Sequence, residues 1–227
     1  MGASFTFDGS GDYLDYGDLN VTDSLTSVTF SFWVNSTNFT TSGGYVAKYT
    51  TYGNSTASFY VYDDTSTAIQ VSIFGNVAGN SATNWTHGMS TGIWYHIVIT
   101  WAASRNATNS GYEIYLNGVK QTLSSSSGNA SSINSVNSSN LIGGLTSSSF
   151  QKNGKIAYVR FFNRAITEAE ANEMYKCINH ISNGLIFQAD LLDTAGKEIY
   201  TQTSPTIGGN AAPDPSGPPV FFPTLCS

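Results

Sequence analysis

Few residues in this chain combine the type and spacing that chemistry needs, and the clearest group is acidic. Asp8, Asp12, Asp15 and Asp18 crowd around Gly9, Gly11 and Gly17. Closely spaced carboxylates on a glycine-rich turn supply the hard oxygen ligands that calcium takes. The plainer alternative is that they are ordinary turn and strand-end acids. Catalysis has less to work with. Glycosidic hydrolysis needs two carboxyl groups facing each other across the scissile bond. Here Glu113-Ile114-Tyr115 offers one acid and then an aromatic, while Glu168, Glu170 and Glu173 fall where a helix start explains them. His87, His96 and His180 are scattered, and Gly143-Gly144 lacks the following Lys-Ser/Thr of a phosphate loop. The expectation is a protein that binds and is not an enzyme.

Binding chemistry is better represented. Tyr45, Tyr49, Tyr52, Tyr60, Tyr62 and Trp85 lie in or beside turns, where exposed rings stack on sugars and nearby Asn, Asp or Ser complete the hydrogen bonds. Tyr45, Tyr60 and Trp85 are the expected glycan contacts; the alternative is that such rings are half-buried with a wet hydroxyl. Sequons stand at Asn20, Asn35, Asn38, Asn54, Asn84, Asn106, Asn129 and Asn137, an expectation of exposed, glycosylated loops in a secretory context. A chain rich in Asn, Ser and Thr also generates several such sites by chance. Cys177 and Cys226 are the only cysteines, too few for a disulfide scaffold and spaced unlike a zinc site. A bridge between them would contribute roughly 4 kcal/mol in the chain-entropy model; otherwise one is a buried thiol and the other a loose tail thiol.

The elements that must position these residues are strands. Period-2 alternation recurs in 4–7, 27–34, 44–49, 57–62, 68–74, 94–101, 112–116 and 155–162. Asn117-Gly118 is a two-residue hairpin turn. Short strands without intervening helices predict an all-β, antiparallel two-sheet jelly-roll sandwich. One short helix near the C-terminal end is legible over 168–176, with Thr167 and Glu170 as a capping box. Residues 124–140 read as a long exposed loop. From Gly184 a further strand precedes an extended Pro-rich tail, expected to pack on the sandwich or on a neighbouring subunit. This divides the chain into a sandwich over 1–182 and an appendage over 183–227.

Several of these segments, in order, resemble the laminin-G-like, concanavalin-A-like lectin/glucanase jelly-roll domain. They are Phe5-Thr6-Phe7-Asp8-Gly9-Ser10-Gly11-Asp12-Tyr13-Leu14, Val28 to Asn35 and Trp94 to Thr100. The Tyr112 to Gly118 hairpin and the Gly154 to Thr167 run complete the set. The resemblance implies a structural calcium near the opening turn, at Asp8 and Asp12. It also implies lectin-like binders, adhesion modules or virus and cell-surface decorations as functional classes. The sequence departs from the family in placing Gly184-Leu185-Ile186-Phe187 after the helix, where such a strand often precedes the opening phrase.

Composition narrows the partners. Net charge is −6, with nine Lys and Arg against fifteen Asp and Glu. That cannot neutralise a phosphate backbone, so nucleic acid is excluded. No basic cluster holds an anionic membrane surface, and no apolar run approaches the about 18 residues of a spanning helix. Charged residues make up only 11% of the chain, which suits a protein facing an external medium. The start shows no basic n-region or apolar h-region, so either a signal has been removed or the protein is released without one, as virion proteins freed by lysis are; the expected setting is an extracellular surface or a virion. The expected role is a structural or adhesive subunit of a virion, fibre or filament that self-associates or meets other surface proteins and glycans. The alternative is a monomeric carbohydrate-binding module of a secreted protein.

Overall fold

The computed structural model describes residues 4–39, 42–51, 56–75, 79–177, 181–189, 205–214 and 216–218. Within them the alternating runs form two packed antiparallel sheets. The first sheet contains β1 (Ser4–Asp8), β3 (Ser27–Ser36), β8 (Trp94–Ala102), β9 (Tyr112–Leu116), β10 (Val119–Lys120), β13 (Asn153–Phe162), β14 (Leu185–Ala189) and β16 (Ala212–Asp214). Its order is β10-β9-β8-β3-β13-β1-β16, with β14 also on β13. The second contains β2 (Tyr13–Asp15), β4 (Gly44–Tyr49), β5 (Ala57–Thr65), β6 (Ala68–Ile73), β7 (Ser81–Thr86), β11 (Ser125–Gly128), β12 (Asn140–Ile142) and β15 (Thr206–Gly208). Its order is β11-β7-β6-β5-β4-β12-β2-β15.

Alternation explains the packing. Val28, Phe30, Phe32 and Val34 of β3 share one side with Ile97, Ile99 and Trp101 of β8, and meet Phe59, Val61, Ile69 and Val71 of the second sheet. The rings interlock: Phe30 lies 4.6 Å from Phe59 and 5.1 Å edge-on to Phe161. Burying each such side chain contributes about 2 kcal/mol of transfer free energy, so the sandwich core dominates stability.

The helix α1 (Glu168–Lys176) has the expected bounds and a complete capping box, in which Thr167 and Glu170 satisfy each other's backbone N–H. It lies over the outer face of the first sheet, not across an end of the sandwich. Ala171 and Met174 pack with Val98, Tyr115, Phe162 and Ile166, while Tyr175 stacks on Trp33 at 5.6 Å.

The segment read as a long loop is partly ordered. Ser125–Gly128 pairs with β7, and Ala130 and Ile133 enter the core. Its serines carry no apolar alternation because an edge strand is held chiefly by main-chain hydrogen bonds, here joined by the Thr83 hydroxyl donating to the Ser125 carbonyl. The strand after the helix pairs in its own chain, with β13, along the part of that strand that β1 does not reach. The tail then adds β15 to β2 and β16 to β1. Residues 209–211 therefore cross from one sheet to the other.

Candidate functional site

The two outer faces differ. On the first sheet, α1 covers the middle. Beside it lies a recess of about 410 Å³ lined by Arg105, Glu113, Tyr115, Lys120, Thr167 and Glu168. Arg105, Lys120 and Glu113 are spent on one another. Arg105 and Lys120 both pair with Glu113, at 2.5 and 2.6 Å, and the Tyr115 hydroxyl donates to the same carboxylate at 3.0 Å. Burial works against ionising Glu113, but the Lys120 hydrogen bond and the Arg105 charge outweigh it and hold the acid below its usual range.

On the second sheet, no helix among the described residues covers the outer face. Register places Gly44, Tyr62, Gln70, Asn84 and Ser125 in one cross-strand row, with Ala47, Tyr60, Ser72 and Ala82 in the next. At ~4.8 Å per strand the first row spans about 19 Å. Tyr60 packs edge-on to Tyr49 and Tyr62, at 5.4 and 5.3 Å. Both the Tyr60 and Tyr62 hydroxyls donate to Gln70 Oε1, and the Tyr62 hydroxyl also lies 3.0 Å from Asp64 Oδ1. Burial and the Asp64 carboxylate push the Tyr62 phenol well up, so the hydroxyl stays neutral. Phe150 extends the strip: it is 43% exposed, its ring meets Tyr62 edge-on at 5.8 Å, and its backbone sits at φ +58. That left-handed conformation is a genuine outlier for a bulky residue and is retained only where surroundings impose it.

Charge separates the faces further. Of the described cations, Lys48 and Lys152 are fully buried, and Arg105, Lys120, Lys155, Arg160, Arg164 and Lys176 belong to the first sheet, its helix and their turns. The outer side of the second sheet is left with aromatics, amides, hydroxyls and acids.

The sequence-predicted glycan contacts divide accordingly. Tyr60 lies under this strip, buried at 7% exposure between Tyr49 and Tyr62, so it backs those rings and is not itself an exposed platform. Tyr45 and Trp85 are corrected: both are in the core, Tyr45 stacked on Phe32 at 5.1 Å. A register shift between Gly44 and Val46 turns Tyr45 inward beside Val46. Trp85 follows Ser81 and Thr83 on the buried side of β7. Tyr52 lies outside the described residues. Gln70 and Phe150 were not singled out by sequence, and Asn84 only as a sequon, because only strand register brings amides and a distant loop ring beside the tyrosines.

The expected calcium ligands are committed elsewhere. Asp12 is buried and accepts from the backbone N–H of Asp8 and Asn210, both at 2.7 Å. Asp8 accepts from Ser10, Asp15 from Gly17, and Asp18 pairs with Lys48. Among the described residues no three acids, histidines or cysteines converge, and both Asp12 oxygens already accept from backbone N–H groups. His96 is buried against Ser31, and burial depresses it to about 3; burial likewise takes His87 to about 4. His180 lies outside the described residues. Cys177 is disulfide-bonded, and Cys226 lies outside the described residues. Of the sequons, Asn20, Asn129 and Asn137 are exposed, Asn35, Asn38, Asn84 and Asn106 are half-buried, and Asn54 is outside the described residues. No helix among the described residues is long and apolar enough to cross a membrane.

Comparison with known proteins agrees with this architecture. Residues 8–172 match the family model for the concanavalin A-like lectin/glucanases superfamily. No curated protein matches the sequence. Among solved structures, a protein of Bacteroides ovatus ATCC 8483 thought to bind carbohydrate is similar over 97% of this chain, at 18% identity and a TM-score of 0.70. This chain spans 61% of that protein. A heptameric SAP-like pentraxin from Limulus polyphemus is similar over 93% of this chain and 94% of its own, at 13% identity and a TM-score of 0.62. The CBM40 of a Ruminococcus gnavus IT-sialidase, solved with α2,3 sialyllactose, is similar over 67% of this chain and 84% of its own, at 12% identity and a TM-score of 0.52.

Proposed function

The chain belongs to the concanavalin A-like lectin/glucanases superfamily, and from that premise we propose that it is a non-catalytic carbohydrate-binding module acting outside the cell. Its ligand is a neutral glycan laid across the outer face of the second sheet. The observation that carries this reading is the exposed Phe150 ring, held at a costly backbone conformation against the Tyr62, Tyr60 and Gln70 network. Rings of that kind stack on the C–H faces of sugars, and the amides of Gln70 and Asn84 supply directional hydrogen bonds to hydroxyls. Asp64 nearby and the want of a facing cation among the described residues disfavour sialylated or sulfated ligands, unlike the sialyllactose held by the CBM40.

A glycan array containing neutral and acidic chains tests the proposal. Saturable binding to neutral glycans, weakened tenfold or more (about 1.4 kcal/mol) by Phe150→Ala, is expected. Binding to acidic glycans alone, or binding insensitive to Phe150→Ala and Tyr62→Ala, contradicts it.

A structural subunit of a virion, fibre or filament is the second reading, favoured by the low charge and by the tail that reaches both sheet edges. Light scattering of the full chain across a concentration series separates the two. A defined oligomer supports assembly, and a persistent monomer supports the module.

A further inference from the structure

Beneath the site lies a group that binding does not use. Lys152 and Asp63 are in direct contact, and both side chains are 0% exposed. Lys152 precedes β13 of the first sheet, while Asp63 is in β5 of the second, so the pair ties the two sheets across 89 residues of sequence. Aromatic rings wall it in: Nζ lies 4.4 Å from the Tyr45 centroid and 5.1 Å from that of Phe39. Gly43 closes the remaining side, since a Cβ there would approach the Lys152 side chain to 3.1 Å. The Tyr45 hydroxyl touches both partners. It accepts from Lys152 Nζ at 3.2 Å and donates to Asp63 Oδ1 at 2.5 Å.

We propose that Lys152 and Asp63 condense to an amide, a covalent cross-link between the sheets, with Tyr45 relaying the proton. The amine nitrogen attacks Asp63 Cγ and a C–N bond forms. One amine proton passes through the Tyr45 hydroxyl to a carboxyl oxygen, the C–O bond breaks, and water leaves. One acid and one amine give one amide and one water, with no change of oxidation state and no co-reactant. Burial favours the reactive forms: it pushes the Asp63 carboxyl up and the Lys152 amine down, towards neutral acid and neutral amine. A site closed to solvent also lets the product outlast hydrolysis, and the held geometry replaces the entropy of bringing two groups together. An ion pair so buried stabilises little over apolar residues of similar volume, whereas a covalent tie across a long loop constrains the unfolded chain.

Intact-mass spectrometry of the full chain, denatured and with its disulfide reduced, tests the proposal. The native sequence is expected one water lighter than its sequence mass, with a peptic digest yielding a branched peptide joining the Asp63 and Lys152 segments. Lys152→Arg is expected at full mass. Tyr45→Phe, which keeps the ring, is expected to lower the cross-linked fraction tenfold or more over the same incubation. A native chain at full sequence mass overturns the proposal, as does a one-water loss without the branched peptide.

Discussion

Phe150 sets strain against binding at a single position. A left-handed backbone costs a bulky residue about 1–2 kcal/mol, and the ring it displays is substantially exposed. Replacing Phe150 with Gly removes the steric cost along with the ring. The denaturant midpoint is therefore expected to stay level or rise while glycan affinity falls tenfold or more. A midpoint drop equivalent to about 2 kcal/mol would instead make the ring structural. Buried histidines give a second expectation at this scale. Burial first, and the Arg160 charge second, depress His96 to about 3; burial and Lys152 depress His87 to about 4. Each folded-state value lies below the ordinary histidine value of about 6.5, so the unfolded chain binds more protons as pH falls. Stability is thus fully present above roughly pH 6.5 and is lost towards pH 4 at about 1 kcal/mol per pH unit per histidine. Urea titrations at several pH values read that slope, and His96→Gln should flatten it. A slope unchanged in the variant would refute the assignment. Chelators should leave Tm unchanged, and a rise of several degrees with calcium would restore the aspartate turn as a metal site. At this scale the sequence points to Tyr60 as a ring beside a turn, and the fold places it as a buried backing for Tyr49 and Tyr62. Tyr45 escapes because a register shift breaks the period, and Trp85 because its core-facing strand neighbours, Ser81 and Thr83, are polar.

Strands and caps were more legible than side chains, since their signals are local. The Asn117-Gly118 turn joins β9 and β10 with Asn117 at φ +50 and Gly118 at φ +78, as a two-residue hairpin demands. Gly118 also meets the helix, where an added Cβ would stand 2.8 Å from Asn172 Cα. Gly118→Ala should therefore cost about 2 kcal/mol or more by strain and displaced packing together; a loss below about 0.5 kcal/mol would show that the helix yields. Thr167→Ala removes one half of the capping box and should cost about 1 kcal/mol, read as a fall in Tm of a few degrees. Where α1 docks was not legible, because a helix's apolar face states that it packs and not on what. The same holds for β11, whose pairing with β7 rests on main-chain groups that every residue carries.

Across the whole molecule, the fold follows from strands with apolar sides facing each other, and residues 8–172 match the family model. The C-terminal part joins the same body: Phe187 of β14 is buried and lies 4.8 Å from Phe161. Phe187→Ala is expected to destabilise the domain by about 3–5 kcal/mol, and a negligible loss would mean that β14 is dispensable. Pro213 sits in an edge strand, where a missing N–H leaves no inner ladder broken. Asymmetry between the two outer faces is the property of the whole from which function is inferred: among the described residues one face is covered by a helix and bears the exposed cations, and the other is aromatic and amide-lined. Hydrogen exchange with and without a neutral oligosaccharide tests that asymmetry most directly. The account predicts ligand-induced protection in residues 57–65, 68–73 and 146–152, with the recess around Arg105 and Lys120 unchanged. Protection confined to residues 104–105, 113–120 and 165–168 would contradict it.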